Sequence, residues 1–435
     1  MMMRAILYNF VTLLALPVIL FLLACGRKHR EGLLLRLGFI PKEVRASLKG
    51  VRPVWLHAVS VGEVLASVSI LKRIKQEHPD LKVVFSTITA TGNYMVRQKI
   101  PEADTVIYFP YDYHYIVNKV LDEINPCIFI HTETEIWPNF LWALHRRGIP
   151  SVIVNGRLSA KSSKRYRFFR WFFRSVFDRI AAFGVQSQVD YDRVISMGVD
   201  PARVVLTGNM KYDQNFSQAE GFAHEEVLDD LRLTKKDDVF IAGSTHPGEE
   251  DIVLNVYQQL MSAYPRLVLI LAPRHPERFQ EVEKLIRRRG LAVVRKTNIN
   301  CDVHSYVYPR VILLDTIGEL SRIYRIGDVI FVGGSLVNIG GHNILEPVVF
   351  RKPVFFGPWM QNFPEITAIL KESGAGILVR SEAELLYYAR KFLGNKEEAH
   401  RLGEKGFTVI QRHQGATQRN MELVNRYLGY VNSKQ

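Results

Sequence analysis

Carboxylates and cations recur just past apolar runs that read as strands. Glu63 closes His57-Ala58-Val59-Ser60-Val61-Gly62-Glu63, where an apolar run gives way to a helical pattern. A carboxylate at that turn can take a proton from an acceptor hydroxyl, and the helix start favours its ionised form until then. It can equally do no more than cap the helix. The run His131-Thr132-Glu133-Thr134-Glu135-Ile136-Trp137-Pro138 sets two carboxylates at another strand end. Two residues apart, they share a face in extended chain and part in a loop, so spacing leaves open which one meets a ligand. Lys211 and Arg274 follow further strands and offer a point charge and a bidentate fork to phosphate or carboxylate oxygens. Singly, each reads as well as a surface charge.

The stretch Val329 to Pro347, VIFVGGSLVNIGGHNILEP, predicts strand, loop and helix. Its glycine pairs allow a backbone to approach a ligand, and free N–H groups at a helix start can cradle a phosphate. Pro347 belongs in the first helical turn, which starts the helix near Asn343 and brings Glu346 beside those N–H groups. A plain glycine-rich loop capped by Asn and Glu fits the same pattern.

These residues need a scaffold of parallel strands. Apolar runs alternate with amphipathic segments in two series, at 54–57, 82–87, 105–108, 127–130, 151–154 and 180–185, then at 239–242, 267–271, 291–294, 311–314, 329–332, 354–356 and 376–379. That rhythm predicts an α/β protein of two Rossmann-like domains facing across a cleft, with ligands at the carboxyl ends of the strands. The expected divisions are 1–30, 31–215, a polar linker at 216–238, and 239–435, with a final helical segment near 414–430 compatible with packing back on the first domain.

Residues 5–25 carry no charged side chain and at about 1.5 Å per residue match a bilayer core of about 30 Å. Arg27-Lys28-His29-Arg30 follows, against Arg4 before, so the charge bias keeps the rest of the chain cytoplasmic. The expectation is one uncleaved N-terminal anchor helix, spanning or embedded. Leu22-Leu23-Ala24-Cys25 loosely resembles a lipoprotein cleavage box, but the basic cluster after it opposes export. The formal net charge of +14 favours anionic partners. The three cysteines, Cys25, Cys127 and Cys301, lack metal or redox spacing, which fits a reducing compartment. From Lys161 to Arg179, arginines interleave with aromatics in KSSKRYRFFRWFFRSVFDR, the pattern of a helix lying at a membrane interface. Core packing with a solvated basic side, or a stacking platform for single-stranded nucleic acid, are the other readings.

The ordered motifs HAVSVGE, TETEIWPN, NGRLS, TGNMKYD, GSTHPGEE, PRHPER and FVGGSLVNIGGHNILEP, behind an N-terminal apolar segment, resemble the 3-deoxy-D-manno-octulosonic acid (Kdo) transferases over nearly the whole chain. The resemblance implies a glycosyltransferase B fold, with an acceptor-binding first domain and a CMP-sugar-binding second domain. It also implies inverting transfer of Kdo from CMP-Kdo to a lipid A precursor (lipid IVA) at the cytoplasmic face of the inner membrane. No metal and no cofactor beyond the donor substrate are implied. By the same resemblance Glu63 is the proton acceptor, and Glu133 and Lys211 stabilise the transition state. CMP contacts fall on Pro273 and Arg274, on Ile317, Gly318 and Glu319, and on Asn343, Ile344, Leu345 and Glu346. The expected partners are CMP-Kdo, the lipid A precursor and inner-membrane lipids, with no nucleic acid and no obligate protein partner. The rivals are another membrane-bound nucleotide-sugar transferase or epimerase of this fold, and a basic, membrane-tethered protein that binds RNA or anionic lipid.

Overall fold

The computed structural model describes residues 2–25, 31–213, 223–300, 308 and 310–432. The basic cluster Arg27–Arg30, Cys301 and part of the expected linker lie outside the described residues. The chain divides into two units, Met1–Gln214 with Gln414–Gln435, and Asn215–His413.

The first unit is a seven-stranded sheet whose paired strands are all parallel: β1 (Val54–His57), β2 (Val83–Thr87), β3 (Thr105–Tyr108), β4 (Ile128–Thr132), β5 (Ser151–Gly156), β6 (Ala182–Val185) and β7 (Val204–Leu206), in the order β3-β2-β1-β4-β5-β6-β7. Both faces are covered by helices, so β1, β2 and β4 to β6 are buried throughout, as near-continuous apolar runs require. Trp55 sits fully buried against Phe109, Phe129 and Phe140, its indole N–H donating to Ser86 Oγ at 2.8 Å. The C-terminal helix Ala416–Asn432 belongs to this unit. Asp213 caps its start, accepting from the Gly415 and Thr417 N–H groups at 2.7 and 2.6 Å.

The second unit repeats the plan with β8 (Asp238–Thr245), β9 (Leu267–Pro273), β10 (Ala292–Arg295), β11 (Arg310–Leu313), β12 (Val329–Val332), β13 (Val354–Phe356) and β14 (Gly376–Leu378), in the order β10-β11-β9-β8-β12-β13-β14. Its strand pairs too are all parallel. In each sheet the strand order reverses once, between β1 and β4 and between β8 and β12. Ligands of such folds gather at that switch point, beyond the carboxyl ends of the strands.

The N-terminal segment forms the helix Met2–Cys25. Among the described residues no helix is long and apolar enough to cross a membrane. Polar groups on the helix are used within the first unit. Tyr8 donates to Asp112 Oδ2 at 2.9 Å, Asn9 and Asn139 exchange amide hydrogen bonds, and the Tyr113 hydroxyl donates to the Thr12 carbonyl. The aromatic-basic segment also departs from one continuous helix. It breaks at Phe169 into Ala160–Phe168 and Arg170–Phe177. Tyr166 and Phe177 enter the core, whereas Phe168, Phe169 and Trp171 stay exposed. Core packing therefore holds for Tyr166 and Phe177.

Candidate active site

The loop after β1 turns at Ser60, which caps the helix Val61–Glu77. Glu63 is the third helical residue and folds back. Its Oε2 accepts from the Val59 N–H at 2.8 Å and its Oε1 from the Ser60 hydroxyl at 3.0 Å, a reciprocal cap of the kind a Ser followed three residues later by Glu forms. Burial pushes the Glu63 carboxyl above its ordinary range. The Val59 amide pulls it back and the charge of Glu133 adds to the push.

The neighbouring switch-point strand, β4, ends in the TETE run. Glu133 takes a left-handed backbone, φ 62°, and its N–H donates to the Val154 carbonyl at 3.0 Å. This kink separates the two carboxylates. Glu133 turns toward Lys211, whose Nζ is 3.9 Å from its Oε1. Glu135 is instead pushed up to about 7 by burial, with the charges of Glu63 and Glu133 adding to the effect. Three carboxylates thus share one electrostatic neighbourhood, with a lysine at one side. Sequence spacing left the choice between Glu133 and Glu135 open because it depends on one unusual φ.

Lys211 is placed by asparagines. The Asn209 side chain accepts from the Lys211 N–H at 3.1 Å, and Asn155, itself left-handed at φ 53°, accepts from the Met210 N–H at 2.9 Å. Asn420, fully buried on the C-terminal helix, accepts from the Asn155 N–H. NGRLS was visible only as a motif; its role in setting the lysine loop needed the third dimension. Beneath the site, His57 and His131 are buried and held neutral, lowered to about 3 and about 4 by burial.

In the second unit, Pro273 ends β9 and the Arg274 N–H donates to the Thr245 carbonyl at 3.0 Å. The Arg274 side chain is exposed and, among the described residues, makes no hydrogen bond or ion pair. Its charge reaches Glu346, which burial pushes up to about 7 against the pull of Asn343 and Arg274. Asn343 donates to Glu346 Oε1 at 3.2 Å and accepts from the Leu345 N–H. Ile317 and Gly318 form an open turn after β11, Gly318 at φ 86°, while the Glu319 carboxylate is bound by Thr316 and Arg322.

The glycine stretch departs from expectation at its helix, which starts at Leu345 rather than near Asn343 and is a single turn, Leu345–Val348, with Pro347 inside it. Upstream of that turn the N–H groups of Gly334, Ser335 and Leu336 are engaged. All three donate to Glu249, as does the His246 N–H, at 2.7 to 3.0 Å. Gly333 is required by that cradle, since a Cβ there would meet Glu249 Oε2 at 2.7 Å and the Ser244 carbonyl oxygen at 2.6 Å. The fully buried Glu249 therefore stitches the loop after β8 to the loop after β12. This brings His246 and His342 together, Nε2 to Nε2 at 2.8 Å with their rings stacked. Glu249 carried no signal in the sequence beyond its place in GSTHPGEE. Among the described residues, no group of three or more His, Cys, Asp or Glu side chains is arranged to hold a metal ion.

Two parallel α/β units, with carboxylates at one switch point and an arginine, histidines and a glutamate at the other, define an enzyme of the glycosyltransferase B fold. The likeness in fold extends to a UDP-GlcNAc 2-epimerase from Neisseria meningitidis, which matches 86% of this chain and 100% of its own with a TM-score of 0.59 at 14% identity. The family of 3-deoxy-D-manno-octulosonic-acid transferases (kdotransferases) matches residues 31–214. The Haemophilus influenzae 3-deoxy-D-manno-octulosonic acid transferase is 35% identical over 97% of this chain and 98% of its own, and the Chlamydophila psittaci enzyme 30% identical over 97% and 95%. The chain belongs to this family and is a glycosyltransferase that transfers Kdo.

Proposed function

We propose that the donor is CMP-Kdo, that the acceptor is a lipid A precursor of the lipid IVA type, and that transfer proceeds with inversion and without a metal. Glu63 accepts the proton of the attacking glucosamine hydroxyl. The observation that carries this reading is the Glu63 carboxylate itself, held between the Val59 amide and the Ser60 hydroxyl with its proton affinity raised by burial. A base so tuned holds a proton more readily than a solvated carboxylate. Lys211, paired with Glu133, supplies positive charge where the Kdo carboxylate and the breaking phosphate bond need it. Pro273, Arg274, the Ile317–Glu319 turn and Asn343–Glu346 take the CMP. Arg274 meets the phosphate and Glu346 the ribose hydroxyls.

The acceptor's acyl chains suit attachment at the cytoplasmic face of the inner membrane. Supporting this, the N-terminal helix exposes Met3, Ile6, Leu7, Phe10, Val11 and Leu14, and the Arg4 guanidinium lies 5.9 Å from the ring centroid of exposed Trp171. An apolar surface rimmed by arginines fits a lipid interface.

The test incubates detergent-purified protein with CMP-Kdo and tetraacylated lipid A precursor in EDTA, beside Glu63→Gln, and weighs the lipid. Product heavier by whole Kdo units with the wild type alone is expected. Absence of product from folded wild type after magnesium is restored would overturn the donor and acceptor assignment.

A further inference from the structure

The second unit brings together two histidines that the CMP assignment leaves unused. His246 follows β8 and is buried, and His342 is half-buried in the loop after β12. Glu249, through its four amide hydrogen bonds, holds those two loops together and so sets the rings against each other. The rings are almost parallel, 8° apart, and meet Nε2 to Nε2 at 2.8 Å. Gly334 leaves room for them, since a Cβ there would press on His342 Cδ2 and Nε2 at 3.0 and 3.1 Å. Among the described residues neither Nδ1 makes a hydrogen bond.

What the pair can offer follows from where its hydrogens sit. In the neutral pair one Nε2 carries a hydrogen and the other accepts it. The donating ring is then left with a bare Nδ1 lone pair, while the accepting ring carries its hydrogen at Nδ1. One added proton fills the bare Nδ1 and keeps the Nε2 bridge. Both Nδ1 atoms become donors and the pair gains a positive charge, so an anion beside it favours the protonated form.

The surroundings keep that proton away from the empty site. Burial lowers His342 to about 4, with His246, Arg274 and His275 adding, and burial lowers His246, with His275, Arg278 and Arg274 behind it. His275 stands edge-on to His246 at 5.2 Å between ring centroids. The nearby carboxylates are engaged elsewhere: Glu249 on backbone amides, Glu250 and Glu281 on Arg278, Glu277 beside His275, and Glu346 with Asn343. We propose that the His246–His342 pair takes up a proton from solvent when the phosphate of CMP binds beside Arg274, and meets that phosphate as a shared imidazolium. The inference rests on the assignment of CMP to this unit and adds a proton to it. In a CMP-sugar the phosphate is a diester with a single negative charge. Breaking the bond to the sugar leaves the electron pair on the phosphate oxygen, and the positive pair stabilises the second charge that results.

Calorimetric titration of the full chain with CMP, in buffers of different ionisation enthalpy at about pH 7 where free CMP is mostly a dianion, counts the protons taken up. Uptake of about 0.5 to 1 proton per CMP is expected for the wild type. Cytidine, which keeps the base and ribose without the phosphate, should bind with none. In His342→Asn the uptake should fall to near zero, because a lone imidazole turns an Nδ1–H toward an anion by changing tautomer and needs no added proton. CMP affinity should fall about tenfold with it, the scale of losing one charged hydrogen bond. A merely structural role would weaken binding without changing the proton count. A thermal melt checks the fold; if His342→Asn does not melt cooperatively, His246→Asn reads the same loss. CMP binding to the wild type without proton uptake, equal uptake with cytidine, or uptake that persists in the variant overturns the inference and leaves the CMP assignment standing. Absence of CMP binding by folded wild type overturns that assignment and the inference with it.

Discussion

Lys211 Nζ lies 3.9 Å from Glu133 Oε1, and the glutamate reaches it from a backbone at φ 62° that residues with a Cβ rarely adopt. The kink is held from both sides, by the Glu133 N–H on the Val154 carbonyl and by Thr134 Oγ1 on the Arg157 carbonyl at 2.7 Å. Such restraint points to positioning of the side chain. Lys211→Met and Glu133→Gln are each expected to lower kcat about 100- to 1000-fold with the fold intact, the range seen when one transition-state donor is lost. The double variant should be far less than multiplicative, since the two act as a unit. Glu133→Gly separates conformation from chemistry. Its melting temperature should hold or rise, because glycine tolerates the left-handed backbone, while turnover is lost. Multiplicative losses in the double variant would show that the pair does not work together.

The pH dependence follows from Glu63 and Glu133. A base raised above its ordinary range is unproductive when protonated, so kcat/KM should rise with pH along a limb placed above the usual carboxylate range. The charge of Glu133 adds to that rise. Removing this negative neighbour stabilises ionised Glu63, so Glu133→Gln should move the acidic limb to lower pH. A pH–rate profile of the variant reads this directly. An unmoved limb would mean that the titrating group is not Glu63.

Much of this scaffold was legible because parallel strands covered on both faces must be continuous apolar runs. The runs at 54–57, 105–108, 329–332 and 354–356 coincide with β1, β3, β12 and β13. The strand Val204–Leu206 was missed; at three residues with Leu206 exposed, an edge strand has too little apolar pattern to show. The resemblance singled out Glu63, Glu133 and Lys211, and the structure brings them into one neighbourhood. The partition of Glu133 from Glu135 was not legible, because it turns on one backbone angle. Nor was the occupation of the Gly334 amide, because Glu249 lies 85 residues away in sequence. At Gly340 and Gly341 the left-handed backbone, φ 108° and 74°, and close approach to Asn362 and Met360 both require glycine.

Glu249 makes a stability prediction. Replacing it by alanine leaves four backbone donors, at His246, Gly334, Ser335 and Leu336, without their acceptor in a buried setting. A loss of about 3 kcal/mol or more is expected at the scale of 1–3 kcal/mol per stranded donor. Denaturant unfolding at neutral pH measures it. Glu249→Gln, which keeps one carbonyl oxygen but aims an NH2 at donors, should fall between. Near wild-type stability for Glu249→Ala would mean that water replaces the carboxylate, and that the two loops do not depend on it.

The stacked pair His246 and His342 gives the second unit an acid sensitivity of defined sign. With Nε2 atoms 2.8 Å apart, one imidazole donates and the other accepts, which requires at least one neutral ring. Burial lowers His342 to about 4, with His246, Arg274 and His275 pushing the same way. Its unfolded-state value lies near 6.5, so between about pH 6.5 and 4 the unfolded chain binds the extra proton, and stability falls as pH falls through that window. At neutral pH neither state is protonated and the hydrogen bond contributes fully. His342→Asn removes the group that titrates. The variant should be less stable than wild type at pH 7, and the deficit should shrink as the pH is lowered toward 5. Stability curves at pH 7, 6 and 5 for the two proteins decide the matter, and a deficit that stays constant would show that His342 does not titrate on unfolding.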